Sequence, residues 1–208
     1  MQKSIHRYKN CSAIILAAGR SSRMGMPKFA LQFSENRTFL DEIIKQYRIF
    51  GCKKIVVVIN RDGWIFLQKR SKKFDANIVF IENTHLEWER FYSIKLGIQN
   101  VENIFPVFIH NVDNPFIDQK VLEKLYSLSS KDYIVPVFNG KGGHPILLSR
   151  NIAVEILKEK KNDLIFSVFL KKFEKTRVDV GDKNILININ TKEEYDRWMN
   201  GEVSRDFC

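Results

Sequence analysis

The sequence has few cysteines, few prolines and no long apolar run, and each scarcity removes a class of protein. Its three cysteines, Cys11, Cys52 and Cys208, lie far apart and in none of the paired spacings of a zinc site. Neither a disulfide framework nor a structural metal is expected, and a reducing cytosol is the compartment that fits. The longest purely apolar stretches, such as Ala13 to Ala18 and Ile55 to Ile59, are far short of the roughly 20 residues that cross a bilayer. Met1 to Asn10 is polar and basic, and the apolar stretch behind it is too short for a signal-peptide core, so neither secretion nor a membrane partner is expected. Five prolines, no internal repeat and no low-complexity segment leave nothing to mark a linker.

The chain does carry enough apolar residues, 44% of 208, to bury one continuous core. One domain over residues 1–208 is expected, with 1–10 as a polar extension. The balance of 34 Lys and Arg against 24 Asp and Glu leaves a net charge of +10, which suits an anionic partner such as a polyphosphate, a nucleic acid or an acidic surface. Much of the excess sits in dispersed pairs, Lys53-Lys54, Lys72-Lys73, Lys160-Lys161 and Lys171-Lys172, which read as solvated turns and helix ends. Nucleic acid is therefore not the expected partner.

Short β-branched runs at Ala13 to Ala18, Lys54 to Asn60, Asn77 to Glu82, Phe105 to His110 and Asp132 to Phe138 read as strands. Between them, Leu40, Ile43, Ile44 and Tyr47 place one apolar face on a helix, and Glu87 to Gln99 and Asp118 to Leu128 read similarly, with Asp118 as N-cap. Strands continuous in apolar residues, joined by helical crossovers, predict a mostly parallel central sheet covered by helices on both faces. Such an α/β sheet binds ligands beyond the carboxyl ends of its strands. Further on, Asn139 to Gly143 reads as a turn, Pro145 to Leu148 as a short strand, and Asn151 to Lys160 and Asp163 to Phe173 as helices. Ile185 to Ile189 reads as a strand, and Thr191 to Glu194 as a capping box ahead of a last helix.

The first strand runs into Gly19-Arg20-Ser21-Ser22-Arg23-Met24-Gly25-Met26-Pro27-Lys28. Small residues at a strand end let backbone approach a ligand closely, and successive N–H groups in such a turn make an anion-binding hollow. Arg20, Arg23 and Lys28 add three cations to it, and Pro27 holds Met26 extended. The spacing is neither that of a Walker A loop nor the Gly-x-Gly-x-x-Gly of dinucleotide folds, which leaves a triphosphate cradle or an ordinary surface turn.

The run Leu16-Ala-Ala-Gly-Arg-Ser-Ser-Arg-Met-Gly-Met-Pro-Lys28 resembles the signature of the nucleotidyltransferases related to molybdenum cofactor cytidylyltransferase and guanylyltransferase. The resemblance extends from Ile14 to about Trp198 and implies a Rossmann-like nucleotidyltransferase fold akin to the GT-A type. It implies that Leu16, Ala17, Ala18, Gly19, Arg20 and Ser21 hold the nucleotide, and that Arg23 and Lys28 contact its phosphates.

Asp113, in His110-Asn-Val-Asp-Asn-Pro115, stands at a strand end, where it can set an Asx turn or hold Mg²⁺ with the help of substrate phosphate oxygens. The resemblance favours Mg²⁺ at Asp113. With Asn at 111, an Asp-x-Asp of the glycosyltransferase kind is half missing, which disfavours a sugar transferase. Gly143-His144-Pro145 resembles a segment of the cytidylyltransferase branch on the side of the second substrate and makes His144 an acceptor-binding candidate. Asn188 and Asn190 stand where that branch commonly has Asp and the guanylyltransferase branch Asn, and an amide is a weak second metal ligand. Asn83 and Ser93, in segments resembling the family's base-reading region, are candidates for nucleobase contacts.

Together the resemblance implies a cytosolic, Mg²⁺-dependent transfer of a nucleoside monophosphate, CMP from CTP, to a phosphate-bearing acceptor with release of pyrophosphate. Molybdopterin is the favoured acceptor, with sugar phosphates and methylerythritol phosphate as alternatives. A nucleotide- or RNA-binding module that keeps the loop without turnover is the alternative of another class.

Overall fold

A computed structural model describes residues 8–20, 24–69, 73–103 and 105–201. In chain order these form β1 (Lys9–Ala17), the hairpin β2 (Gln32–Ser34) and β3 (Arg37–Thr38), α1 (Phe39–Phe50), β4 (Cys52–Ile59), α2 (Arg61–Gln68), β5 (Ile78–Glu82) and α3 (Glu89–Gln99). There follow β6 (Val107–Asn111), α4 (Gln119–Tyr126), β7 (Tyr133–Phe138), β8 (Lys141–Gly142), β9 (Ile146–Leu148), α5 (Arg150–Lys158), α6 (Phe166–Phe169), β10 (Lys175–Asp179) and α7 (Lys192–Met199).

The main sheet runs β10-β7-β9-β6-β1-β4-β5, with β8 beside β7. Neighbours pair in parallel except around β9 and in the β7–β8 turn, so β9 is the one antiparallel strand on the main path. The central position of β1 follows from its composition, because an apolar run needs cover on both faces. Ala13, Ile15 and Ala17 face a core with Ile43 and Tyr47 of α1 and Leu122 of α4. Ile14 faces the opposite core, with Phe91 and Ile94 of α3 and Ile152 of α5.

Local chemistry fixes the ends of these helices. Thr38 caps α1 in a capping box with Asp41, and Gly51, at φ 93°, ends it in a left-handed turn that a side chain would disfavour. Thr191 and Glu194 form the capping box expected at the start of α7. That helix then docks Trp198 against Phe33, Phe39 and Phe116, with ring centres 5.4, 5.7 and 5.5 Å away. Each such pair contributes about 0.5–1.5 kcal/mol beyond the area it buries, which anchors α7 in the cluster that also holds Met24. Among the described residues no helix is long and apolar enough to cross a membrane.

Three segments differ from the sequence reading. Lys9 and Asn10 belong to β1 and not to a polar extension: the Lys9 N–H donates to the Gly51 carbonyl, and its ammonium lies 3.9 Å from the centre of the Phe50 ring. Ile185 to Ile189 is no strand; Lys183–Leu186 is a 3-10 turn capped by the Asp182 side chain. The Ile185 carbonyl is taken by the His144 N–H and the Asn114 amide, so it is not free for a sheet ladder. Asp163 to Phe173 gives only α6 and a 3-10 turn, Leu170–Lys172.

Candidate active site

Because β1, β4, β5 and β6 run in parallel, their carboxyl ends share one edge of the sheet. A cavity of about 660 Å³ opens there. Leu16, Ala17, Ala18, Gly19, Arg20, Lys28, Asn83, Ser93 and Asp113 all line it. Ser21 and Arg23 lie outside the described residues. His144 lines a second cavity next to the first.

The first loop is held from behind. Asn60, at the end of β4, caps α2 by accepting from the Gly63 N–H at 2.8 Å, and its amide donates to the Gly19 carbonyl at 3.2 Å. One buried side chain therefore fixes both a helix start and the strand-to-loop corner. A Cβ on Gly19 would meet none of the described residues within 4 Å.

Lys28 reaches across the cavity. Its ammonium donates to Asn190 Oδ1 at 2.7 Å and lies 3.7 Å from Asp113 Oδ2, with side-chain exposures of 16% for Lys28 and 22% for Asp113. The turn carrying Asp113 is fixed by two backbone bonds, from the Val112 N–H to the Leu16 carbonyl and from the Ile189 N–H to the Asp113 carbonyl. Burial raises the Asp113 carboxyl above its ordinary range, and the charges of Lys28 and Arg90 oppose that only in part. Its Oδ1 is buried and accepts no hydrogen bond from the described residues. An unpartnered carboxylate oxygen beside a phosphate-sized space fits a divalent cation that takes its remaining ligands from a substrate. Asn190 Oδ1 is committed to Lys28, and the exposed Asn188 donates back to the Leu186 carbonyl. Among the described residues no cluster of three or more His, Cys, Asp or Glu could hold a metal without such help.

On the cavity's other wall the Asn83 amide donates to Ser93 Oγ at 2.9 Å, and Asn83 Oδ1 accepts from the His85 N–H. Ser93 is brought this close because α3 lies hard against β1. A Cβ on Gly97 would stand 2.5 Å from Ile14 Cγ2, closer than any helix residue with a side chain allows.

Behind the Asp113 turn, His110 is completely buried. The Asn114 carbonyl accepts from its Nε2 at 2.6 Å, leaving Nδ1 to accept from the Tyr47 hydroxyl at 3.1 Å. Burial lowers its pKa to about 4, so the ring is neutral and both bonds persist at neutral pH. His144 is likewise held to about 3, by burial first and then by Arg90 and His110. Its Nε2 faces the Asn111 amide at 3.0 Å, which leaves the proton on Nδ1, a buried donor with no partner among the described residues. The Gly-His-Pro turn has a steric logic of its own, since a Cβ on Gly143 would stand 2.3 Å from the Ile185 carbonyl oxygen.

Asn60, Arg90 and the bond between Lys28 and Asn190 were not assigned from the sequence. A signal for Asn60 existed: Asn60, Asn83 and Asn111 stand at the carboxyl ends of three parallel strands.

The family described as the MobA-like NTP transferase domain matches residues 13–174. The chain is 29% identical over 182 residues to the molybdenum cofactor cytidylyltransferase of Escherichia coli (strain K12), covering 88% of this chain and 92% of the relative. It is 28% identical over 200 residues to the molybdenum cofactor guanylyltransferase of Campylobacter jejuni (strain RM1221), covering 91% and 94%. Among solved structures, the manganese complex of Rv0371C from Mycobacterium tuberculosis H37Rv superposes with a TM-score of 0.73 at 16% identity, covering 93% of this chain and 99% of that one.

Proposed function

This chain belongs to the family of the MobA-like NTP transferase domain and is a nucleotidyltransferase, and from that premise we propose that it transfers CMP from CTP to the phosphate of molybdopterin, releasing pyrophosphate. The observation that carries this reading is the Lys28 ammonium, set between Asn190 and Asp113 on the wall of the first-loop cavity. A phosphate monoester is already an anion near neutral pH, so its oxygen attacks the α-phosphorus without a base. The bond to the bridging oxygen of the β-phosphate breaks as the new one forms, with no covalent enzyme intermediate.

Catalysis is then alignment and charge neutralisation. The backbone from Leu16 to Ser21 holds the nucleotide, Lys28 and Arg23 meet its phosphates, and Asn83 with Ser93 reads the base. The Nδ1 proton of His144 meets the acceptor. A divalent ion, Mg²⁺ in our proposal, would be held by Asp113 Oδ1 and would neutralise phosphate charge. The cytidylyltransferase relative and the Gly143-His144-Pro145 turn favour CTP. Pyrophosphate release with each of the four nucleotides, against molybdopterin, methylerythritol phosphate and sugar phosphates, tests the reading. CTP with molybdopterin should give the fastest release. Faster release with GTP would overturn the base assignment alone, and no release with any pair would overturn the whole.

A further inference from the structure

Arg90 is, among the described residues, the one that lines both cavities. On the first-loop side its charge acts on the Asp113 carboxylate. On the other side its guanidinium carbon lies 5.8 Å from the centre of the Phe166 ring, a wall of the second cavity. Its Nε is buried and makes no hydrogen bond among the described residues. The second cavity, of about 330 Å³, is walled largely by Val135, Ile146, Leu164, Phe166 and Leu170, and its only other cation among the described residues is the exposed Lys175.

An in-line displacement needs the attacking oxygen within about 3–3.5 Å of phosphorus. The acceptor's phosphate must therefore stand where the two cavities meet, while its body points away from the triphosphate. A doubly charged phosphate leaving water for that junction requires a fixed cation, and a guanidinium fork matches two phosphate oxygens at once.

We propose that Arg90 binds the attacking phosphate monoester at this junction and that the apolar second cavity holds the acceptor's body. The proposal rests on the nucleotidyl-transfer reading for its function. The guanidinium donates hydrogen bonds and exchanges no proton: the acceptor oxygen forms the bond to the α-phosphorus, and pyrophosphate leaves with the electrons of the broken one.

Phenyl phosphate is a probe that needs no turnover. It is titrated calorimetrically into protein saturated with Mg²⁺ and a non-hydrolysable CTP analogue. Wild type should bind it, Arg90→Gln at least about tenfold more weakly, and Arg90→Lys in between, because a lysine keeps the charge and loses the fork. The affinity for the CTP analogue should fall less than that for phenyl phosphate in both variants, since Arg90 only flanks the nucleotide cavity. Glycerol phosphate, with a hydroxylated body, should bind wild type more weakly than phenyl phosphate. Melting curves establish that each variant is folded, and if Arg90→Gln is not, Arg90→Lys carries the comparison.

Equal phenyl phosphate affinity in wild type and a folded variant would overturn the proposal. So would no binding by wild type, or an equal loss of affinity for the CTP analogue. Equal binding of the two phosphates would overturn the assignment of the apolar cavity. Wild type that binds phenyl phosphate through Arg90 and yet releases no pyrophosphate with any acceptor would instead overturn the transfer reading.

Discussion

Lowering the pH from 8 to 5 should destabilise the protein by about 4 kcal/mol through the two histidines beneath the site. Burial holds His110 to about 4 and His144 to about 3, whereas in the unfolded chain both titrate near 6.5. A depressed folded-state pKa contributes stability that is present above the unfolded value and is lost as pH falls toward the folded one. The window therefore opens near pH 6.5 and closes between about 4 and 3. At pH 5 each unfolded imidazole is almost fully protonated and each folded one still neutral. The difference of about 1.5 pH units, at about 1.4 kcal/mol per unit, gives about 2 kcal/mol per histidine. Two such terms are a large share of a typical total of about 5–15 kcal/mol. Asp113 acts in the opposite sense: its raised carboxyl adds stability below the ordinary carboxylate pKa that is lost as pH rises through the folded value. Urea unfolding at pH 8 and pH 5 reads the loss directly, and His144→Asn should halve it. The same stability at both pH values in wild type, or an undiminished loss in His144→Asn, would refute the reasoning. In the folded protein His110 gains its proton only as pH falls toward about 4, and there Nδ1 ceases to accept from the Tyr47 hydroxyl.

Lys28→Met keeps the buried stem and removes the charge, so kcat/KM for pyrophosphate release should fall about 10²–10³-fold. A near-normal value would remove Lys28 from the phosphate site. Asp113→Asn should raise Tm at pH 7.5, because burial disfavours the charge it deletes, while turnover is lost. A lower Tm with retained activity would contradict both halves. Gly143→Ala forces a Cβ against the Ile185 carbonyl and should cost about 1–3 kcal/mol in urea unfolding. Unchanged stability would mean that the turn can shift freely.

Much of the fold is legible in the sequence, because the strands β1, β4, β5, β6 and β7 are apolar runs that burial demands, and the caps at Asp118 and Thr191 are local chemistry. β10 was not legible: in Lys175–Asp179 only Val178 is buried, as suits an edge strand whose other residues face water. Ile185 to Ile189 misled because it is apolar for packing and not for pairing, Ile185 against the Gly143 turn and Ile187 and Ile189 against the cluster around Trp198. The first loop was visible because glycines and cations carry their chemistry in their type, whereas Asp113 and His144 were singled out by the family resemblance of their segments. Asn190 was read as a weak metal ligand, and only distance reveals it as the acceptor for Lys28. Arg90 was hidden because an arginine early in a helix is ordinary until two cavities are seen to share it.

The most direct measurement is the mass of the product formed from CTP and molybdopterin. The account predicts an acceptor heavier by one CMP less water, with one pyrophosphate released for each product. CDP beside an acceptor heavier by a single phosphate would place attack at the γ-phosphorus and contradict it.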